Sequence, residues 1–253
     1  GTMRAPGAMM AVSGDGTAKG YVSNGCVDAD IAAQAVAALG DGQLRHLVYG
    51  AGSPFRDITL PCGGRIDVTI WPRPDVTIIR GWWEALTARR SVNITLPERD
   101  VSLTLLPRLR LRIAGRGAAM DDLAQLAQSV GYDIILQSPD VRPDAVHLLD
   151  PTVCPDVTDD VWTAVVLLFH DHDWEVALLT QALASEAFYI GAMGSERTHA
   201  LRVDALKEAG ISDEGIARIR GPIGLIPSMR DANLLALSTL AEIVKAAQDC
   251  GRL

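Results

Sequence analysis

Four cysteines in 253 residues, at positions 26, 62, 154 and 250, are too few and too scattered for a disulfide framework. No C-x-x-C pair is present to begin a structural zinc site, so the chain reads as a protein of a reducing cytoplasm. Long apolar runs are missing as well. The longest, such as Thr163–Phe169, fall far short of the ~20 residues that a bilayer-spanning helix needs, and the start does not resemble a signal peptide. The expectation is a protein without membrane insertion. An excess of positive charge is also absent: 31 acidic residues against 23 lysines and arginines give a net charge of −8. A nucleic-acid polyanion would meet repulsion instead of the counterion release that drives such binding, so no nucleic-acid partner is expected. What is present is enough to bury a core. Hydrophobic residues make up 48% of the chain, charged residues 21%, and no polar low-complexity tract occurs, which excludes the disordered class.

The length allows two domains. The first stretch, to about Pro72, holds short apolar runs and one helical segment, about Val27–Leu39, for which Gly40 is the expected stop. Arg65–Ile70 alternates apolar and polar residues with the period of a half-buried strand, and Leu44–Tyr49 is its expected partner. A helix over Asp75–Arg90, carrying Trp82 and Trp83, and a strand or two to Leu106 lead to Pro107. Residues 1–107 therefore read as a small α+β domain with its linker. From 108 to 253 the pattern becomes strands at Leu109–Ala114, Asp133–Gln137, Ala164–Phe169 and Phe188–Ala192, with helices at Ala119–Val130, Glu175–Ala184 and Glu196–Ala209. Such alternation predicts a Rossmann-like, doubly wound parallel sheet. A last helix, about Ala232–Ala247, is apolar enough to pack against something sizeable, the first domain or a second subunit.

Several local patterns carry possible chemistry. Ser23-Asn24-Gly25-Cys26-Val27-Asp28 places a thiol where a glycine turn becomes a helix, and unpaired N–H groups there stabilise a thiolate while Asp28 and Asp30 oppose it. In Cys62-Gly63-Gly64 a second thiol sits in a loop whose glycines let a ligand approach the backbone. Cysteine is also a small buried hydrophobe, and glycines also simply make turns. Two thiolates alone leave a tetrahedral zinc two ligands short. Gly115-Arg116-Gly117 stands between strand and helix like a dinucleotide loop, but Met120 occupies the third small position and the next strand ends in Gln137-Ser138 without the ribose-binding carboxylate. NAD(P) is accordingly an unlikely ligand. His170-Asp171-His172-Asp173 ends a strand at the ligand-binding edge of such sheets; it suits metal or proton chemistry, or equally a solvated turn with an aspartate cap. Gly194-Ser195-Glu196-Arg197-Thr198 opens a helix with hydroxyls and a guanidinium, a seat for an oxyanion or phosphate or else an ordinary cap with an exposed arginine.

Taken together, these residues resemble the XdhC/CoxI family, accessory factors of molybdenum hydroxylases such as xanthine dehydrogenase and carbon monoxide dehydrogenase. Ser23–Asp28 looks like the family element S-G-G-C-V-E, Tyr189–Thr198 matches Y-I-G-x-x-G-S-x-R-T, and Gly221–Leu225 with Ala241–Ile243 matches x-P-I-G-L…A-E-I. Cys62-Gly63-Gly64 and His170-Asp171 fit in order, and only about Asp75–Leu106 lies outside the likeness. Departures are Asn24 for a glycine, Asp28 for glutamate, Ser138 for the Rossmann aspartate, Arg220 for histidine and Ser228 for glycine. The family's opening helix and strand have no counterpart, because Arg4–Met10 resembles sequence that lies well inside the first domain.

The resemblance implies a cytoplasmic, often dimeric binding and delivery protein, a maturation chaperone more than a catalyst. Its cargo would be the molybdenum cofactor, a pterin dithiolene bearing a phosphate (molybdopterin), bound transiently. Its partners would be a cysteine desulfurase-type sulfurase and the apo-enzyme of a molybdenum hydroxylase. Cys26 would contact the molybdenum, and Cys62, Gly63, Gly64, Gly194, Ser195, Arg197, Thr198, His170 and Asp171 would complete the cofactor site between the two domains. The competing reading, an NAD(P)-dependent oxidoreductase, rests only on Gly115-Arg116-Gly117 and the Rossmann rhythm.

Overall fold

The computed structural model describes residues 6–52, 60 and 63–253. The chain divides into two compact units, Gly1–Leu106 and Pro107–Leu253.

In the first unit, β1 (Met10–Val12) and β2 (Ala18–Gly20) form an antiparallel hairpin, followed by α1 (Asp28–Asp41). β3 (Arg45–Gly50) and β4 (Arg65–Ile70) pair antiparallel with Tyr49 opposite Ile66, as the alternation in 65–70 predicts. Then come α2 (Val76–Thr87), β5 (Val92–Thr95) and β6 (Ser102–Leu105), the last two again an antiparallel pair. Val27, Ile31 and Ala38 pack with Leu47, Tyr49 and Ile70 to make the core. The end of α1 differs from the expected stop at Gly40. The helix runs through Gly40 to Asp41, and Gly42 takes the left-handed conformation, with its N–H on the Ala38 carbonyl. Both glycines permit that turn; the last helical hydrogen bond selects the second.

In the second unit the strands are β7 (Arg110–Gly115), β8 (Asp133–Ser138), β9 (Val146–His147), β10 (Thr163–Leu168), β11 (Tyr189–Ala192) and β12 (Ile219–Arg220). The helices are α3 (Ala118–Ser129), α4 (Glu175–Leu183), α5 (Glu196–Glu208), α6 (Asp213–Ile216) and α7 (Ala232–Asp249). The sheet order is β12-β11-β10-β7-β8-β9 with every pair parallel, the doubly wound Rossmann arrangement. Strand order reverses between β7 and β10, and ligands of such sheets bind outside the carboxyl ends beside that point. Arg112 lies in the central strand with no exposed surface; Asp159 accepts from its Nε at 3.0 Å and its Nη2 at 2.5 Å, and Gln137 Oε1 accepts from Nη1 at 3.0 Å. A buried guanidinium is tolerable there because it is paired and hydrogen-bonded. The expected partner of α7 is corrected: Ala236, Leu240 and Ile243 join the core of this same unit with Met120 and Leu123 of α3. Their spacing of four, then three, residues makes one apolar stripe, and α3 covers it.

Candidate functional site

Cys26 is exposed and sits in a turn braced by its own acid. Asn24 and Gly25 both take positive φ, 57° and 100°, which turns the backbone N–H groups of the loop inward. The Asp28 carboxylate fills that concavity, accepting from the N–H of Val22 at 2.9 Å, Ser23 at 2.9 Å and Gly25 at 2.6 Å. Buried Ser23 accepts from the Val27 N–H at 2.9 Å through Oγ. Burial pushes the Asp28 carboxyl up, but these donors outweigh it and hold the group below its ordinary value. The loop donors just before Cys26 are thus taken by a carboxylate, and that negative charge, with Asp30, stands beside the thiol in the first turn of α1. The thiol is presented on a turn whose loop is tied to Asp28 and Ser23.

The Tyr49 hydroxyl donates to Asp30 Oδ2 at 2.6 Å, tying the end of β3 to the first turn of α1. Gly64, whose carbonyl accepts from the Ala51 N–H at 3.1 Å, lies just beyond that end of the β3–β4 ladder, with Gly63 beside it. The Cys26 turn and the Gly63-Gly64 pair therefore share one end of the first unit. Cys62 lies outside the described residues.

In the second unit the candidate residues collect at the carboxyl edge of the sheet. Ser195 caps α5, its Oγ accepting from the Thr198 N–H at 3.1 Å and lying 3.0 Å from Thr198 Oγ1. Among the described residues, the N–H groups of Glu196 and Arg197 have no partner. Arg197 is exposed. This turn keeps two free donors, a helix dipole and a guanidinium at one place. A Cβ on Gly194 would stand 2.5 Å from Thr198 Cγ2, so only glycine lets the strand exit pass so close to the helix. His170 and Asp171 are both exposed at the end of β10, and Asp171 Oδ1 accepts from the Asp173 N–H at 3.1 Å, capping a short 3-10 turn.

Glu175 and Arg202, both almost fully buried, join these two strand exits. Arg202 donates to Glu175 Oε2 at 2.9 Å and Oε1 at 2.8 Å, and to the Met193 carbonyl at 2.6 Å, immediately before Gly194. His172 Nδ1 lies 2.9 Å from Glu175 Oε2, and Arg202 Nη1 donates to His199 Nδ1 at 3.3 Å. Burial first, then the Arg202 charge, lowers the His199 pKa, with Glu175 opposing. The His199 ring lies over Gly221, where a Cβ would stand 2.2 Å from Nδ1. Sequence reasoning missed both buried residues. The available signal was Arg202 standing four residues from the buried Leu206, on the inward stripe of α5.

Glu242 fixes the Gly221–Leu225 loop, accepting from the Gly224 N–H at 2.6 Å and the Tyr189 hydroxyl at 3.1 Å. The two residues at which the dinucleotide pattern fails take part in the fold. Met120 is buried in the core, and the Ser138 hydroxyl donates to the Gly115 carbonyl at 2.9 Å. Among the described residues, no three His, Cys, Asp or Glu side chains gather as they would around a metal ion, and no helix is long and apolar enough to cross a membrane.

The XdhC Rossmann domain model matches residues 111–243, and the XdhC and CoxI family model matches residues 1–50. The molybdenum cofactor insertion chaperone PaoD of Escherichia coli K12 is 37% identical over 96% of this chain and 79% of its own length. The uncharacterized protein YqeB of the same organism is 26% identical over 54% of this chain and 27% of its own. A crystal structure from Bacillus halodurans, described as a xanthine dehydrogenase, has the same fold: the TM-score is 0.78 at 21% identity, covering 98% of this chain and 88% of that one. With both units matched in the expected order, the chain belongs to the XdhC and CoxI family.

Proposed function

We propose that this protein is a molybdenum cofactor chaperone, which binds the finished cofactor and passes it to an apo-molybdoenzyme without turnover of its own. The observation that carries the reading is the 37% identity to the insertion chaperone PaoD, which spans 96% of the chain and so takes in both units. The Glu196 and Arg197 N–H groups, the Ser195 and Thr198 hydroxyls and the Arg197 guanidinium suit the terminal phosphate of the pterin. Exposed Cys26 suits a single sulfur contact to molybdenum, with Cys62, Gly63, Gly64, His170 and Asp171 as further contacts. The finer reading is of transient binding in the cytoplasm by a homodimer, with sulfuration by a cysteine desulfurase-type sulfurase before delivery. Its client would be a hydroxylase of xanthine dehydrogenase or carbon monoxide dehydrogenase type.

The test is retention. The purified chain is loaded with molybdenum cofactor and passed over a sizing column, and molybdenum and pterin fluorescence are measured in the protein peak. Wild type is expected to retain both, Cys26→Ser to lose them, and Cys154→Ser and Cys250→Ser to behave as wild type. No retention by wild type overturns the chaperone reading, whereas equal retention by Cys26→Ser removes only the thiol contact. A micromolar dissociation constant for NADH or NADPH by calorimetry would restore the oxidoreductase reading.

A further inference from the structure

The last helix of the second unit carries two apolar stripes. Ala236, Leu240 and Ile243 of α7 make the inner one, packed on α3. On the outside, Leu234, Leu237, Ala241 and Val244 recur at alternating steps of three and four residues, the spacing of a seam against a second helix. Leu234, Leu237 and Val244 are exposed, Leu237 over more than half of its surface. No charge interrupts this stripe, because Glu242 is turned to the Gly224 N–H and the Tyr189 hydroxyl. The loop before the helix widens the face. Leu225 donates its N–H to the Ser238 carbonyl at 3.1 Å and Ile226 donates its N–H to Ser238 Oγ at 2.7 Å, and both side chains are more than half exposed. The second unit closes without covering this face: α3 and α7 pack on one side of its sheet, α4 and α5 on the other.

We propose that the outer stripe of α7 is the interface of a homodimer, in which two copies of the helix pack antiparallel across a two-fold axis. The inference rests on the homodimer reading above and names the surface that reading needs. At a two-fold contact one patch serves both copies, so each pairing occurs twice. Centred midway between Leu237 and Ala241, an antiparallel pair sets Leu237 of one copy against Ala241 of the other, large against small, and Leu234 against Val244. The charges beside the stripe complement one another in the same arrangement. Arg230 and Asp231 stand at the start of the helix and Lys245 and Asp249 near its end, all exposed. Antiparallel packing brings Asp231 to Lys245 and Arg230 to Asp249, and it opposes the two helix dipoles. Parallel packing brings every charge to its own like. Leu234 to Val244 spans only about 15 Å, so the contact lies at the small end of specific interfaces and a dimer of micromolar strength is expected.

The test is sedimentation equilibrium of the full chain without cofactor, from about 1 to 200 µM. Wild type is expected to pass from monomer to dimer over this range. Leu237→Asp should weaken the dimer at least about ten-fold, while Val141→Asp, which alters an equally apolar and more exposed side chain elsewhere, should leave it unchanged. Lys245→Glu should weaken it about three-fold, and adding Asp231→Lys should restore it, since the reversed pair attracts again. Circular dichroism checks that each variant folds. A monomer at every concentration, the result when something other than a second copy covers the stripe, would overturn the proposal. So would a dimer indifferent to Leu237→Asp, one weakened equally by Val141→Asp, or a Lys245→Glu loss that Asp231→Lys leaves unrestored. Cofactor retention by a monomeric protein would leave the chaperone reading standing while this one fails.

Discussion

Two turns in this protein have the same outline, a glycine-containing loop running into a helix, and opposite electrostatics. In the first unit, the loop before α1 spends the N–H groups of Val22, Ser23 and Gly25 on Asp28 and that of Val27 on Ser23, and two carboxylates, Asp28 and Asp30, stand in the first turn of the helix. In the second, Ser195 uses one donor and leaves those of Glu196 and Arg197 open beside a guanidinium. An anion is drawn to the second turn and repelled from the first.

The contrast breaks most severely at the pair beneath the second turn. Arg202→Ala leaves Glu175 buried without its cation and is expected to destabilise the second unit by ~3–5 kcal/mol, seen as a lowered Tm, while amide exchange in α1 stays unchanged. Equal loss of protection in both units would show that the turns are not independently supported. Next in size is Arg197→Ala, which should weaken phosphate or cofactor binding about ten-fold to a hundred-fold with no change in Tm, measured by calorimetry. Normal binding by that variant would move the anion site elsewhere.

The first turn is sharpened by Asp28→Asn, which keeps one acceptor but removes the charge. A loss of ~1 kcal/mol is expected, together with faster alkylation of Cys26 by iodoacetamide. An unchanged rate would mean that Asp28 does not govern the thiol. The smallest effect is with pH. His199 has a folded pKa below its ordinary 6.5, so the unfolded chain takes up the proton first and the second unit loses stability as pH falls below about 6.5. Asp28 is held below its ordinary 3.8, so its stabilisation is complete above that value and disappears only as pH falls through the lowered one. Hydrogen exchange followed downward from neutral pH should therefore loosen the second unit before the first.

Much of the scaffold was legible because it follows from periodicity. The alternation of Arg65–Ile70 marked β4, and the βα rhythm after Pro107 marked the parallel sheet. β9 and β12 escaped because each is two residues long and carries no period. The choice of Gly42 over Gly40 escaped because both satisfy the same local rule. In the site, Ser195 as a cap was legible from its place before Glu196, whereas the Asp28 brace depends on the positive φ of Asn24, which no pattern announced.

By itself, the sequence determined the longer strands and helices, the βα alternation that makes β7, β8, β10 and β11 parallel, and which motifs carry the family likeness, since each depends on patterns within the chain's own order. Only the tertiary structure decided that α7 is covered by α3, that Asp28 answers the donors around Cys26, and that Arg202 reaches Glu175, 27 residues away. Those outcomes turn on which partner a buried charge or an open donor finds, and an unpaired group in a low-dielectric interior is costly enough that the fold, not the local pattern, makes the choice.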